Sequence, residues 1–384
     1  MRVLLVTGDH PRSNMGGAEY QTLLIARGLA ARGHEVRFLG VNAGEEGAFD
    51  DGGVGVRRLR GWRTTGVRAH RERVRDAFEA FGPEVTYTRT FDELSILVPI
   101  SREAGVPAVS VSCHVRETSP FLRSRLPREV LMHARGFRAI GASTIHVCNT
   151  QDLAVRVARW YPRHPVQTIY NGSPEAPAGE RHEAPSGQVI WVNNLKPWKR
   201  PEAYVALARR LPRYRFLMVG RMAEGRYGRR IGRLLAEGPG NLEYLGPRPI
   251  EEVNRLIAAS DLLLYTSLPV EGFGNSFLQA WFRQVPTVSL NFDLDGIPER
   301  EGIGRSSPDL AALVRDVETL MEDHEVRMAM GRRALAYARA HHSVERLADD
   351  YERLFVGLAH EEPALAREAG SGAGRGGSDG QEQG

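Results

Sequence analysis

Lysine is almost missing from this chain. Of its 51 basic residues only two are lysines, Lys196 and Lys199, and both fall in the hexapeptide LKPWKR (195–200). Exchange of Lys for Arg on solvated surface costs little, so the scarcity itself reads as codon bias. The retention needs a separate reason. Arg is a wide planar fork, whereas Lys is a compact point charge on a thin stem, and a site built for one phosphate oxygen suits the second. Two neighbouring survivors can also be chance, which suffices for Lys196, so the surroundings must decide. Cysteine is scarce as well. Cys113 and Cys148 supply neither a disulfide framework nor metal-ligand spacing, and each lies in an apolar, strand-like run that suits a buried structural thiol. Long apolar runs are lacking: MRVLLVTGDHP is too short for a signal peptide, and nothing approaches a membrane span. The expected location is the cytoplasm. The net charge is only +4, which gives no argument for nucleic acid.

What is present is a length of 384 residues, too long for one ordinary core and indicative of two domains. Short apolar, β-branched runs alternate with helical periods. VLLVT (3–7), EVRFLG (35–40), VTYTR (85–89), PAVSVSCH (107–114) and TIHVCN (144–149) read as strands, with AEYQTLLIARGLAARG (18–33) the first helix. The alternation points to a parallel, doubly wound sheet. YNGSPEAPAGERHEAPSGQ (170–188) has no apolar period and reads as a linker. The alternation then restarts with QVIWVN (188–193), RFLMVG (215–220), LEYLG (242–246), DLLLYT (261–266) and PTVSLN (286–291). The fold class is α/β, with two Rossmann-like doubly wound domains facing a cleft. The expected boundaries are 1–173 and 188–342, with a linker at 174–187. A helix at 343–362 returns to the first domain, and 363–384 forms a tail too poor in apolar residues to order.

Open α/β sheets bind ligands at the carboxyl ends of their strands, so chemistry belongs in the loops that follow strands. After the first strand comes GDHPRSNMGGAE, where Gly16 and Gly17 open a helix. They are either an anion-binding diglycine or a plain tight turn. His114 ends PAVSVSCH, and a lone His is as readily structural as catalytic. NNLKPWKR follows QVIWV and faces the cleft, which favours a phosphate role for Lys199. Arg221 follows RFLMVG. After DLLLYT comes SLPVEGFGNSFLQAW, in which Glu271, Gly272, Phe273, Gly274, Asn275 and Ser276 precede or open a helix whose N-terminus suits a diphosphate. Gln279 lies two turns along. Separately, VRRLRGWRTTGVRAHRERVR (56–75) carries eight Arg and a Trp. It is either a docking face for an anionic membrane or lipid-diphosphate acceptor, or a solvated Arg-rich surface.

Five stretches together carry a resemblance. GGAE (16–19), VSCH (111–114), IYNG (169–172), NLKPWK (194–199) and NLEYLGPRPIEEVNRLIAASDLLLYTSLPVEGFG (241–274) stand in the order and spacing of family 4 glycosyltransferases. The chain resembles these retaining enzymes of the GT-B fold from residue 1 to about 360. The resemblance implies a nucleotide diphosphate-sugar donor as co-substrate and a hydroxyl acceptor on a glycan, a lipid carrier or a small molecule. It implies no further cofactor and no metal. It gives Glu271, His114 and Lys199 catalytic roles, with Glu271 on the sugar hydroxyls and His114 on the sugar or the acceptor face. The diphosphate falls to Lys199 and the Gly16–Gly17 amides, and the ribose to Gln279. Asn194, Arg221, Gly272, Phe273, Gly274, Asn275 and Ser276 complete the donor-binding set. Two positions depart from the family pattern: its phosphate Arg falls on Asn194, and its second Glu on Gln279. Retention of Lys199 argues for a variant subgroup rather than a lost donor site. The rival readings are a nucleotide-sugar epimerase and a catalytically dead scaffold.

Overall fold

The structure, a computed structural model, describes residues 1–13, 16–89, 91–120, 127–177, 179 and 184–360. The 363–384 tail and part of the 174–187 stretch lie outside the described residues.

Two twisted sheets carry the chain. The first contains β1 (Arg2–Thr7), β2 (Glu35–Ala43), β3 (Gly47–Asp50), β4 (Val54–Arg60), β5 (Val85–Thr88), β6 (Ala108–Ser112), β7 (Ile145–Cys148) and β8 (Val166–Thr168), in the order β3-β4-β2-β1-β5-β6-β7-β8. All pairs are parallel except β3 with β4. The second contains β9 (Gln188–Val192), β10 (Arg215–Val219), β11 (Leu242–Gly246), β12 (Leu262–Tyr265), β13 (Thr287–Leu290) and β14 (Gly304–Ser307), in the order β11-β10-β9-β12-β13-β14 and wholly parallel. The central strands are almost continuously apolar because helices cover both faces; Val3 to Val6 are buried, as are Val189 to Trp191. In each sheet the strand order reverses about the first strand, β1 or β9. The crevices beside those strands' carboxyl ends are the natural ligand positions.

Several elements were not legible in the sequence. β3, β8 and β14 are short and polar. β4 is VGVRRLR: Val54 and Val56 join the core on one face of the sheet, Leu59 joins the core on the other, and Arg57 and Arg58 between them are half-buried. The 56–75 stretch is therefore the end of a strand, a short turn of helix and most of the helix Val67–Phe81. Arg58 reaches inward to Asp9 (2.8 Å), Arg73 pairs with Glu46 (2.7 Å), and Arg71 and Arg75 share Glu103. Arg68 pairs with Glu72, and Trp62 is buried. Five of its eight arginines are thus in ion pairs, and its Trp is unavailable to a membrane. The free basic face suggested by composition is largely spent within the fold.

Beyond β14 the chain is helical, and the last described helix, Val344–His360, lies against the first sheet. Leu347, Tyr351 and Phe355 enter that sheet's core, and Ala348 packs on Gly28 so closely that a Cβ at Gly28 would clash. The crossing between the halves is pinned by Asn171, which is buried. Its Nδ2 donates to the Phe273 carbonyl and to Asn275 Oδ1 (both 2.9 Å), and its Oδ1 accepts from Arg89 Nη2 (2.6 Å). Next to it the Gln21 side chain exchanges two hydrogen bonds with the Gly172 backbone (2.7 and 3.0 Å).

Asn171→Leu should therefore cost more than a packing change. It strips an acceptor from the buried Arg89 guanidinium and a donor from the loop before the helix Asn275–Trp281. We expect a loss of about 3 kcal/mol, read as a lower urea midpoint with an unchanged denaturant slope.

Candidate active site

Loops from both sheets meet where β6 and β12 end. The Val115 N–H donates to the Val270 carbonyl (2.7 Å), and the Gly272 N–H to the Cys113 carbonyl (2.9 Å). His114 and Glu271 are thus partners in an antiparallel bridge between the two halves. The glycines make the approach possible: a side chain at Gly272 would run into Asn149, and one at Gly274 would stand 2.9 Å from the Tyr265 ring.

Glu271 is the centre of the polar contacts. Its Oε2 accepts from Lys199 Nζ (2.5 Å) and Tyr265 Oη (2.6 Å), and its Oε1 from Trp198 Nε1 (3.0 Å). Lys199 and Glu271 are 14% and 16% exposed. Burial works against the Glu271 charge, but Lys199, Tyr265 and Trp198 outweigh it and hold the carboxyl below its ordinary range. Burial also draws the Lys199 ammonium below its ordinary value, with Glu271 opposing. The Lys199 ammonium lies 5.4 Å from the centre of the Tyr265 ring. Its placement is local: Pro197–Lys199 is one 3-10 turn, and Arg200 takes the left-handed conformation at φ 49°. The Arg200 guanidinium then clamps the carbonyls of Thr266 and Leu290 (2.6 Å each). Lys196, by contrast, is exposed and rests over the Trp198 ring at 5.1 Å.

His114 lies edge-on to Trp198 at 6.2 Å. Its Nδ1 accepts from the Arg116 N–H (3.0 Å), which leaves the proton on Nε2. Burial lowers its pKa against the pull of Glu271, so the ring is neutral. Its backbone N–H, with that of Cys113, is held by Glu117. Cys113 is half-buried, and burial pushes its thiol up to about 12, which suits the structural role read from the sequence.

The other expected donor contacts divide. Gly16 caps the helix Gly17–Ala30 with no side chain on its N–H groups. The Glu19 carboxylate, however, folds back over Gly16, near Arg89 and Lys196, and burial raises its pKa. Asn194 and Arg221 are exposed, and Asn194 Oδ1 accepts from the Arg221 N–H (3.2 Å), which leaves the Asn194 amide NH₂ as the donor. Gln279 Nε2 donates to Asn254 Oδ1 (3.0 Å). The structure places four of the expected donor residues in the packing of this loop. The Phe273 side chain is buried among Tyr170, Trp281 and His342. The Gly272 N–H is spent on Cys113, and Ser276 is buried. The Asn275 amide is committed to Gly17, Gln21 and Asn171. The side chains of Phe273, Asn275 and Ser276 and the N–H of Gly272 thus serve the loop and its packing. Trp198, Tyr265, Glu19, Arg89, Asn254 and Glu117 were not foreseen. Only Glu117 carries a local signal, because His114 and Glu117 have capping-box spacing. The rest arrive through the fold.

Among the described residues no helix is long and apolar enough to cross a membrane, and no three His, Cys, Asp or Glu side chains converge to hold a metal ion.

Two doubly wound sheets whose switch-point crevices meet, with the Lys199–Glu271 pair on one side and His114 on the other, have the architecture of the GT-B class. The comparisons agree. Residues 15–176 match the model of Glycosyltransferase Family 4, and residues 187–323 that of Glycosyl transferases group 1. The chain belongs to glycosyltransferase family 4. No curated protein matches it. Among solved structures it is similar to sucrose-phosphate synthase from Thermosynechococcus elongatus (TM-score 0.76, 16% identity, covering 93% of this chain and 98% of that one). It is also similar to HepE of Anabaena in complex with UDP-glucose (0.74, 18%, 93% and 100%). A third is WaaG, a glycosyltransferase involved in lipopolysaccharide biosynthesis (0.68, 16%, 92% and 100%).

The central pair has a testable pH signature. The lowered Glu271 pKa contributes stability that is complete above the ordinary carboxylate range and is lost as pH falls through the folded value. In Lys199→Met the same carboxylate is buried without its cation. Its pKa rises, and its cost is relieved on acidification. At pH 7 we expect Lys199→Met to be about 3 kcal/mol less stable, the low end for a broken buried pair because both groups keep some water. The gap in melting temperature should narrow steadily from pH 7 to pH 4. A gap that stays constant would mean that the loss does not come from the Glu271 charge.

Proposed function

We propose that the protein transfers a sugar from a nucleotide diphosphate-sugar to a hydroxyl acceptor with retention at the anomeric carbon. The observation that carries this reading is the Lys199–Glu271 pair, held at the carboxyl ends of β9 and β12 and facing His114. The complexes of HepE with UDP and with UDP-glucose support a nucleotide-sugar donor.

Donor binding then exchanges partners. The diphosphate takes Lys199 from Glu271, and the freed carboxylate accepts hydrogen bonds from sugar hydroxyls. The neutral His114 donates from Nε2–H to the sugar or lines the acceptor's approach. As the bond from the anomeric carbon to phosphate oxygen breaks, the acceptor oxygen bonds that carbon on the same face. Its proton passes to the departing phosphate. Lys199, the Gly16–Gly17 amides and the N-terminus of the helix Asn275–Trp281 offset the developing charge, so no metal is required. Gln279 binds ribose through its carbonyl oxygen, while its NH₂ stays on Asn254. Loss of this negative charge offsets loss of the positive one at Asn194.

The lysines should be unequal. In a screen of UDP-sugars, followed by UDP release with EDTA present, Lys199→Ala should lose about 10²–10³ in turnover. Lys199→Arg should recover little, because a fork does not fit a point-charge site, and Lys196→Arg should be near wild type. Equal, mild effects at both lysines would remove the phosphate role. NMR of the product should show the donor's anomeric configuration.

A further inference from the structure

Two backbone hydrogen bonds join the halves beside the Lys199–Glu271 pair, and one side chain holds the segment that makes them. Glu117 lies in the 3-10 turn Val115–Thr118 that follows β6. A single oxygen, Oε2, accepts from the N–H groups of both Cys113 (2.7 Å) and His114 (3.1 Å). The adjoining groups of this segment, the Cys113 carbonyl and the Val115 N–H, are those that bond Gly272 and Val270 across the cleft. The carboxylate therefore grips the inner side of a three-residue ribbon whose outer side carries the contact to the Glu271 loop.

We propose that Glu117 is a positioning residue that sets the register between residues 113–115 and 270–272, and thereby the placement of His114 opposite the Lys199–Glu271 pair. Its catalytic meaning rests on the function proposed above; its structural role does not.

The residue as a whole is half-buried, but its carboxyl is turned into the protein. Burial pushes that carboxyl up to about 7, against the two N–H groups and Arg89. Arg89 stands at the end of β5, Cys148 in β7 and the Cys113 thiol beside them; Glu19, on the helix Gly17–Ala30, shares the Arg89 charge. The helix Gln151–Trp160 packs on the same turn with Leu153, while its Asp152 and Arg156 pair with each other. The sign follows from linkage. A carboxyl whose closed-state pKa lies above its solvated value binds a proton more tightly when closed. Closure is therefore favoured as pH falls through about 7, and weakened above it.

Amide hydrogen exchange on the ligand-free protein tests this, followed on fragments covering 113–116 and 270–273 and corrected for intrinsic rates. In wild type, protection of both fragments should rise about tenfold from pH 8 to pH 6. Glu117→Gln, which keeps an acceptor oxygen but cannot titrate, should retain protection and lose the pH dependence. Glu117→Ala should lower protection of both fragments about tenfold while β1 and β6 stay protected. The proposal is overturned if Glu117→Gln keeps the wild-type pH dependence, or if wild type shows none. It is equally overturned if Glu117→Ala opens 113–116 and leaves 270–273 unchanged, since Glu117 would then cap only its own turn. Should Glu117→Ala fail to fold, the wild-type and Glu117→Gln series still decide. No donor enters these measurements. Absence of UDP release across the screen of UDP-sugars would count against the proposed function and leave the exchange result standing.

Discussion

Much of this molecule is arranged around one constraint: a cation and a carboxylate are taken out of water together at the seam of two sheets. Lys199 and Glu271 are nearly buried, and removing either charge from solvent is costly unless the other stays in reach. The carboxylate is also met by a phenol and an indole N–H, so both of its oxygens have donors. The pair needs a small ammonium beside the Tyr265 ring, and a planar guanidinium has no equivalent place there. That is the physical reason why a chain that uses Arg almost everywhere retains Lys at 199. Arg200, next in sequence, shows the converse. Its fork spans two carbonyls from different loops, which a point charge cannot do.

The rest of the site serves to bring that pair to its opposite wall. Neither sheet alone makes a pocket. The first supplies His114 and the diglycine; the second supplies Lys199 and Glu271. Contact between them depends on polar backbone and amide groups that must be satisfied once buried. Asn171, Gln21 and Asn275 satisfy them at the crossing, and the 113–115 ribbon does so at the cleft. The closing helix adds apolar area from the far end of the chain to the first core. The cleft is therefore set by a few directional bonds flanked by ordinary hydrophobic packing, and small changes in those bonds act on the site.

The ligand-free charges balance within the protein. Glu271 occupies Lys199, and Glu19 lies over the glycines. Under the proposed function an anionic donor displaces one carboxylate and passes close to the other, so its affinity is a difference between two sets of contacts. Pairing Lys199 with Glu271 in the ligand-free protein avoids the desolvation cost that an empty cationic pocket would carry.

The sequence by itself determined the architecture and picked out three residues, His114, Lys199 and Glu271, that the fold brings together. Apolar strand runs such as VLLVT and QVIWV specify buried parallel sheets, and such sheets place ligands at strand ends. His114, Lys199 and Glu271 could accordingly be picked from loops after strands. Tertiary structure decided what each group does there. The strand in VGVRRLR was hidden because its arginines read as surface, whereas Arg58 finds Asp9 in the loop after the first strand. Phe273 and Asn275 look like ligand groups by position, yet their side chains close the core and the crossing. Glu19, Trp198 and Tyr265 join the site only when loops separated by tens to hundreds of residues converge. The reason is range: local pattern encodes burial and period, which repeat along the chain, whereas a buried charge is set by whatever the fold places within a few ångströms of it.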